Sequence, residues 1–354
     1  MKLIICANSS WNLYNFRAKL IKTIASQDIE VLIVAPGQDS NFGNNYLHKL
    51  KDLGCRYTEI SMDRKGTSPF KDLFLFSQFL KIFKAEKPNL YLGFSPKPNI
   101  YGSVAANICG IPVINNISGL GTAFIRGGWL GTVVKFLYKL ALKRSKKVFF
   151  QNKDDEDLFI SLNLVKSHQS EILPGSGINL SDYHCAPLPN RESQKLNFLF
   201  LGRLLWDKGI KEFVEAARLV KNTYPNTRFK ILGFIDMQNQ SAVTIEQVNK
   251  WEKEGAIEYL GSTEDVRPYI SDSDCVVLPS YREGAPKSLL EASALCRPII
   301  TTNVPGCRSV VDNEATGLLC ESRNINSLNE SIIKIINLPR EARETMGNLG
   351  RKKM

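Results

Sequence analysis

The 354-residue chain has no run of 18 or more apolar residues, which argues against a membrane-spanning helix. Its opening, MKLIICANSSWN, carries an apolar stretch too short for a signal-peptide core and reads as a first buried strand. No C-x-x-C pair occurs among the eight cysteines (6, 55, 109, 185, 275, 296, 307 and 320), and there are only three histidines, so a zinc cluster is disfavoured. Several cysteines lie inside apolar runs, a scatter that fits a reducing cytosol better than a disulfide framework. No short-period repeat or low-complexity segment is present. Aromatic residues are not interleaved with basic ones as stacking platforms for nucleic acid would require.

What is present is a globular composition, 43% apolar and 23% charged, in a chain long enough for two domains. The net charge of +11 is uneven: residues 1–185 carry +9 and residues 186–354 carry +2. The first half therefore suits an anionic partner, or simply has a basic solvated surface.

Short apolar runs alternate with helical segments throughout. Strands are expected at 2–7, 30–36, 56–60, 89–94, 112–117, 147–152 and 171–175, then at 196–202, 228–234, 257–261, 275–280, 298–304 and 317–320. This alternation predicts an α/β protein with two doubly wound, Rossmann-like domains facing across a cleft. The polar, proline-containing stretch YHCAPLPNRESQKLN places the boundary so that the domains are 1–185 and 186–354. In such sheets ligands bind beyond the carboxyl ends of the strands.

Two strand ends are distinctive. GRLLWDKG (202–209) combines Gly202, where a backbone can approach closely, with the cations Arg203 and Lys208 ahead of a helix start, a corner able to hold a diphosphate. Alternatively both cations are ordinary loop residues. PSYREGAPKSLLEASALCRP (279–298) delivers Glu283 on a loop, turns through Gly284 and Ala285, and starts a helix at Pro286. There the amides of Lys287 and Ser288 would point at a ligand. Glu291, eight positions after Glu283, lies about one turn into that helix. A carboxylate there can accept two adjacent hydroxyls, as a ribose offers, or be a favourable first-turn charge.

GRLLWDKG followed by PSYREGAPKSLLEASALCRPIITTNVPGCRSVV resembles the retaining nucleotide-sugar glycosyltransferases of family 4, whose fold is called GT-B, and the Glu-x7-Glu spacing is that family's signature. KPNIYGSVAANICGIPVI, ISGLGTAFI, FFQNKDDEDLFI and GSGINLSDY resemble the branch that makes bacterial capsules, O-antigens and lipid-linked glycans. The resemblance implies an acceptor-binding first domain and a donor-binding second domain. It implies that Arg203 and Lys208 hold the donor diphosphate, that Glu291 binds the ribose, and that Glu283 contacts the donor sugar. Gly284, Ala285, Pro286, Lys287 and Ser288 would line the sugar and β-phosphate, and backbone groups at Leu260 and Gly261 would carry the nucleobase. Glu283, Arg203 and Lys208 are the expected catalytic set, Lys97, Gly119 and Gly121 the acceptor side. No metal and no cofactor is expected, the nucleotide sugar being a co-substrate.

There are departures from the family pattern. ANSSWNLYNFR replaces the Gly-Gly pair common in the first strand–helix loop, and Phe94, Ser95 and Lys97 stand where a histidine is often found. Lys97 is a candidate cation for an anionic acceptor. The chain ends at GNLGRKKM, where relatives continue into a further helix. SDSD (271–274) precedes a strand and reads as a cap, not a metal site, and KDDED (153–157) reads as a negative first helical turn. In WLGTVVKFLYKLALKRSKKVFF (129–150), Lys135, Lys139, Lys143 and Lys147 recur every fourth residue, with Leu130, Val134, Leu137 and Leu140 among the apolar positions. They would form a basic stripe suited to anionic headgroups or a polyprenyl diphosphate, or the solvated face of an ordinary helix.

The expectation is thus a transferase moving a hexose or N-acetylhexosamine from a UDP-sugar to a polyprenyl-diphosphate-linked saccharide. It would sit in the cytoplasm, peripheral at the inner face of the cell membrane. A UDP-sugar epimerase on the same fold and a basic nucleic-acid-binding protein are the alternatives.

Overall fold

The computed structural model describes all residues except 38–44, 64–65, 67, 121–123, 125–127, 192–194, 237–238 and 240. Two compact units emerge, Met1–Ser176 and Gly177–Met354, each built on a parallel sheet. The first unit runs β1 (Lys2–Cys6), α1 (Ser10–Ala25), β2 (Glu30–Ala35), α2 (Asn45–Lys51), β3 (Arg56–Glu59), α3 (Pro69–Glu86) and β4 (Leu90–Phe94). A π-helical turn at Pro98–Gly102 then leads into α4 (Ser103–Ile108), followed by β5 (Val113–Ile117), α5 (Gly128–Leu142), β6 (Lys147–Phe150), α6 (Lys153–Ser161) and β7 (Ser170–Ile172). Among the described residues its strand order is β3-β2-β1-β4-β5-β6-β7.

The second unit contains β8 (Asn197–Leu201), a 3-10 turn (Trp206–Lys208), α7 (Ile210–Thr223), β9 (Arg228–Leu232), α8 (Ile245–Lys253), β10 (Glu258–Tyr259), α9 (Arg267–Ser271) and β11 (Cys275–Leu278). It closes with α10 (Lys287–Ala294), β12 (Ile299–Thr302), β13 (Gly317–Cys320), α11 (Ile325–Asn337) and α12 (Arg340–Lys353), in the strand order β10-β9-β8-β11-β12-β13.

Every expected strand is found; the central ones are apolar at nearly every position because both their faces are covered, as in fully buried Ile4, Ile5, Leu32 and Ile33, whereas the edge strands β3, β7 and β10 are short and polar. Polar side chains start the helices: Ser9 accepts from the Asn12 amide at 3.1 Å and Asn152 from the Asp155 amide at 2.9 Å. The KDDED segment is, as expected, the acidic first turn of α6. In each sheet the strand order reverses once, between β1 and β4 and between β8 and β11. In open parallel sheets such reversal points are where ligands bind, beyond the carboxyl ends of the strands.

Residues 177–185, which the sequence places with the first half, belong to the second unit. The Tyr183 hydroxyl donates to Glu291 at 2.8 Å and Arg267 donates to the Asp182 carbonyl at 3.0 Å. The proline-rich stretch behind them is pinned too: fully buried Arg297 donates to the carbonyls of Ala186 and Pro187, and Arg340 to those of Leu188 and Pro189.

The cysteines depart from expectation. Cys185 and Cys296, 111 positions apart, stand with Cα atoms 5.3 Å from each other and are bonded as a disulfide. The other six are free, and burial pushes the Cys307 thiol up to about 12. Thiol titration of the denatured, unreduced protein is expected to return six groups. Eight would show that the pair is reduced.

Candidate active site

The loops after β8 and β11 meet at the reversal point of the second sheet. β8 runs out into Gly202 and Arg203, then into the 3-10 turn ending at Lys208. Gly209 follows with φ +73°, and a Cβ there would lie 2.0 Å from the Pro279 carbonyl oxygen. Only glycine lets the turn press this closely on the end of β11. As a result Lys208 forms an ion pair with Glu283, and Ser280 donates to the same Glu283 oxygen at 2.6 Å. Both side chains are mostly shielded from water, which strengthens the pair. Arg203 is less enclosed and pairs with buried Asp236 at 3.2 Å.

The corner is braced from three sides. Tyr281 accepts, through its ring, the Arg323 guanidinium 4.5 Å away, and its hydroxyl donates to Glu212 at 2.8 Å. Thr301 donates to the Leu278 carbonyl at 2.7 Å, and Thr302 donates to the Ser280 carbonyl. Gly306, at φ +81°, packs so tightly that a Cβ would sit 2.3 Å from the Glu283 carbonyl oxygen and 2.5 Å from that of Gly284. The left-handed glycines of this corner are therefore Gly209 and Gly306, and Gly284 is buried without a positive φ.

Pro286 caps α10, and Ala285, Lys287 and Ser288 are half-buried at its start. Glu291 is 7% exposed and receives the Tyr183 hydroxyl and, at 3.4 Å, the Lys287 ammonium. Burial raises its pKa above the ordinary carboxylate range, while Lys287 and Tyr183 pull it back. At the end of β10 the backbone is already engaged: the Leu260 amide donates to the Ile231 carbonyl at 2.9 Å, and the Gly261 carbonyl accepts from Gly233 at 2.8 Å. Gly202, Arg203, Lys208 and residues 283–288 are thus gathered at the β8/β11 reversal, with Glu291 on the adjoining helix.

The acceptor-side expectations fare differently. Lys97 forms an ion pair with Asp72, to which Tyr101 also donates, so its charge is answered within the first unit and it is not an open cation. Gly119 has φ +150° with nothing near a would-be Cβ, and Gly121 lies outside the described residues. At the β1/β4 reversal the Asn8 amide donates to Ser95, and buried Arg17 lies 4.6 Å over the Phe94 ring. Among the described residues no carboxylate pairs with Arg17, and burial lowers its pKa to about 10. SDSD closes the preceding helix, as expected: Asp272 is the C-cap of α9 and the Ser273 hydroxyl donates to the Ile270 carbonyl at 2.7 Å, while Asp272 also pairs with Arg191 and Lys230, and Asp274 with Arg191. Among the described residues no group of three or more His, Cys, Asp or Glu is placed to hold a metal ion.

Sequence reasoning missed Tyr183, Ser280, Asp236, Arg17 and Gly306. Tyr183 and Gly306 stand in the stretches GSGINLSDY and NVPGCRSVV that carry the resemblance, but nothing local marks what they touch.

Two α/β units, each on a parallel sheet with one reversal of strand order, are the architecture of the GT-B fold. Residues 188–353 match the model of glycosyl transferases group 1, and residues 2–152 that of glycosyl transferase 4-like proteins. The chain is 30% identical over 347 residues to the N,N'-diacetylbacillosaminyl-diphospho-undecaprenol alpha-1,3-N-acetylgalactosaminyltransferase of Campylobacter jejuni, covering 94% of this chain and 88% of that one. It is 26% identical to the Escherichia coli UDP-Gal:alpha-D-GlcNAc-diphosphoundecaprenol alpha-1,3-galactosyltransferase, over 77% of this chain and 72% of that one. Among solved structures, Anabaena HepE in complex with UDP and glucose superposes with a TM-score of 0.79 at 15% identity, covering 99% of this chain and 94% of HepE. The chain belongs to the family 4-like glycosyltransferases, and both curated relatives favour transfer over epimerisation.

Proposed function

We propose that this enzyme moves a hexose or N-acetylhexosamine from a UDP-sugar to a polyprenyl-diphosphate-linked saccharide, with retention of anomeric configuration and without a metal ion. The observation that carries the reading is the Lys208–Glu283 ion pair at the β8/β11 reversal, with Arg203 on the same loop and the start of α10 behind it. A nucleoside diphosphate entering there meets two cations and a helix N-terminus, which stabilise the charge that grows on the leaving phosphate. The bond from the anomeric carbon to the β-phosphate oxygen breaks and its electron pair stays on the diphosphate. The acceptor hydroxyl bonds to the same face of that carbon, and its proton passes to the departing phosphate oxygen. Glu283, fixed by Lys208 and Ser280, orients the sugar, and Glu291 accepts the ribose hydroxyls.

The two relatives support the substrate classes: both act on undecaprenyl-diphosphate-linked acceptors, and one of them uses UDP-galactose. Work on such an acceptor would bring the enzyme to the inner membrane surface as a peripheral protein. A panel of UDP-sugars assayed with a polyprenyl-diphosphate N-acetylhexosamine tests the proposal. An α-linked product formed in the presence of chelator is expected. A β-linked product rejects retention, and strict dependence on manganese or magnesium rejects the metal-free route.

Glu291 supplies a pH test. Its folded-state pKa lies above its unfolded value, so the ionised form is penalised in the fold at neutral pH, and Glu291→Gln should melt no lower than the parent. UDP-sugar affinity of the parent should weaken with falling pH, beginning above the usual carboxylate range of about 4.3. Glu291→Gln should bind roughly tenfold or more weakly and lose that pH dependence. Calorimetry showing parent-like affinity in the variant removes Glu291 from the donor site.

A further inference from the structure

Several cations that the sequence offers to an anionic partner are already engaged. The expected basic stripe does not form on one helix: Lys147 lies beyond α5 on β6, paired with Glu171, and Lys135 leans over the Phe124 ring. Lys97 is held by Asp72. Arg17 differs. The buried side of α1 is Ser10, Leu13, Arg17 and Ile21, so a guanidinium, in a residue 6% exposed, stands on the stripe that faces the sheet. Long helical side chains lean back toward the helix N-terminus, which here carries Arg17 to the carboxyl ends of β4 and β5. Its guanidinium lies 4.6 Å over the Phe94 ring and donates to the Phe16 carbonyl at 3.1 Å and to the Asn116 side-chain oxygen at 3.4 Å. Its Nε has no partner among the described residues. On the same edge the Asn8 amide donates to Ser95 at 3.0 Å, while the buried Asn8 side-chain oxygen has no partner among the described residues either. Helix α1, whose N-terminus opens onto these strand ends, contains no aspartate or glutamate.

We infer that Arg17 binds a phosphate of the acceptor's diphosphate, with the Asn8 side-chain oxygen taking a hydroxyl of the adjoining sugar. A charge buried without a counter-charge destabilises a fold, and an apolar residue at this point of the stripe would not. A phosphate answers that charge: two of its oxygens match the fork of a guanidinium, and the α1 N-terminus adds partial positive charge from the same side. Shielding from water strengthens the contact once it is made. The inference rests on the lipid-linked acceptor proposed above and names the cation that recognises its anionic group, in place of Lys97. The diphosphate of the nucleotide is the other source of the same chemistry, and the experiment separates the two.

The full chain is titrated calorimetrically with two soluble probes that share a short prenyl tail and an N-acetylglucosamine and differ only in the diphosphate between them. The parent should bind the diphosphate probe more tightly. Arg17→Met should reduce that preference by about tenfold or more, and Arg17→Lys by less, because an ammonium keeps the charge and loses the fork. Asn116→Asp should reduce it too: it sets a carboxylate against the guanidinium and answers the charge from within while Arg17 stays in place. Arg17→Met and Asn116→Asp should both melt no lower than the parent, since each removes an uncompensated buried charge. Lower melting of both variants would make Arg17 a buttress of the fold and overturns the inference, as does a parent without preference or a preference that survives in both variants. Loss of UDP affinity in the variants, with the preference intact, assigns Arg17 to the nucleotide and overturns it as well. Transfer is followed in the same samples. A parent that binds the diphosphate probe through Arg17 yet transfers no sugar to it keeps the site and overturns the transfer reading, whereas transfer with the preference intact in both variants keeps that reading and overturns the site.

Discussion

Glu283→Gln should reduce sugar transfer by about two to three orders of magnitude and leave the fold standing. The amide keeps an oxygen where Ser280 and Lys208 donate, so the loop retains its hydrogen bonds. What disappears is the negative charge that pairs with Lys208 and that, in the proposed reaction, accepts from the donor sugar. Because Glu283 sits on a loop after β11 and not in a strand or helix, near-native melting is expected. A variant that keeps half of the parent's turnover at saturating substrates would remove Glu283 from the reaction. The same variant should still bind UDP, because the proposal gives the diphosphate to Lys208 and Arg203.

Removing those cations should act on the nucleotide instead. Charge-assisted hydrogen bonds to phosphate contribute about 1.5–3 kcal/mol each, so Lys208→Met or Arg203→Met should weaken UDP binding by roughly tenfold to a hundredfold. Lys208 is expected to give the larger loss. Its side chain is about half as exposed as that of Arg203, 20% against 39%, so its field is less screened. Each cation also has an internal carboxylate partner, Glu283 or Asp236, which the diphosphate must share. Lys208→Met therefore leaves Glu283 shielded without its counter-charge, and the double variant Lys208→Met/Glu283→Gln should recover thermal stability while remaining a poor UDP binder. Calorimetry that finds parent affinity in both single variants rejects the diphosphate assignment.

The parallel sheets were legible because a strand covered on both faces has little choice but to be apolar throughout, and that pattern survives in any local window. The gathering of residues at the β8/β11 reversal was legible for a related reason. Gly202, Arg203 and Lys208 lie within seven residues, and Glu283 to Glu291 within nine, so strand-end chemistry and helix periodicity order each group locally. The Glu-x7-Glu spacing then supplied the family.

Tertiary structure decided what depends on contacts far apart in the chain. Lys97 meets Asp72, Tyr183 meets Glu291 across 108 positions, and Cys185 meets Cys296 across 111. None of these pairings leaves a periodic trace. The outward face of α5 is a subtler case: Leu140 and Tyr138 are both apolar-bodied residues on one helix, yet Tyr138 is buried and Leu140 is exposed. Periodicity tells a helix from a strand, but where a helix carries apolar residues on two faces it does not say which face is covered. Only the position of the sheet beneath it makes that choice, because burial belongs to the neighbours a side chain acquires and not to the side chain itself.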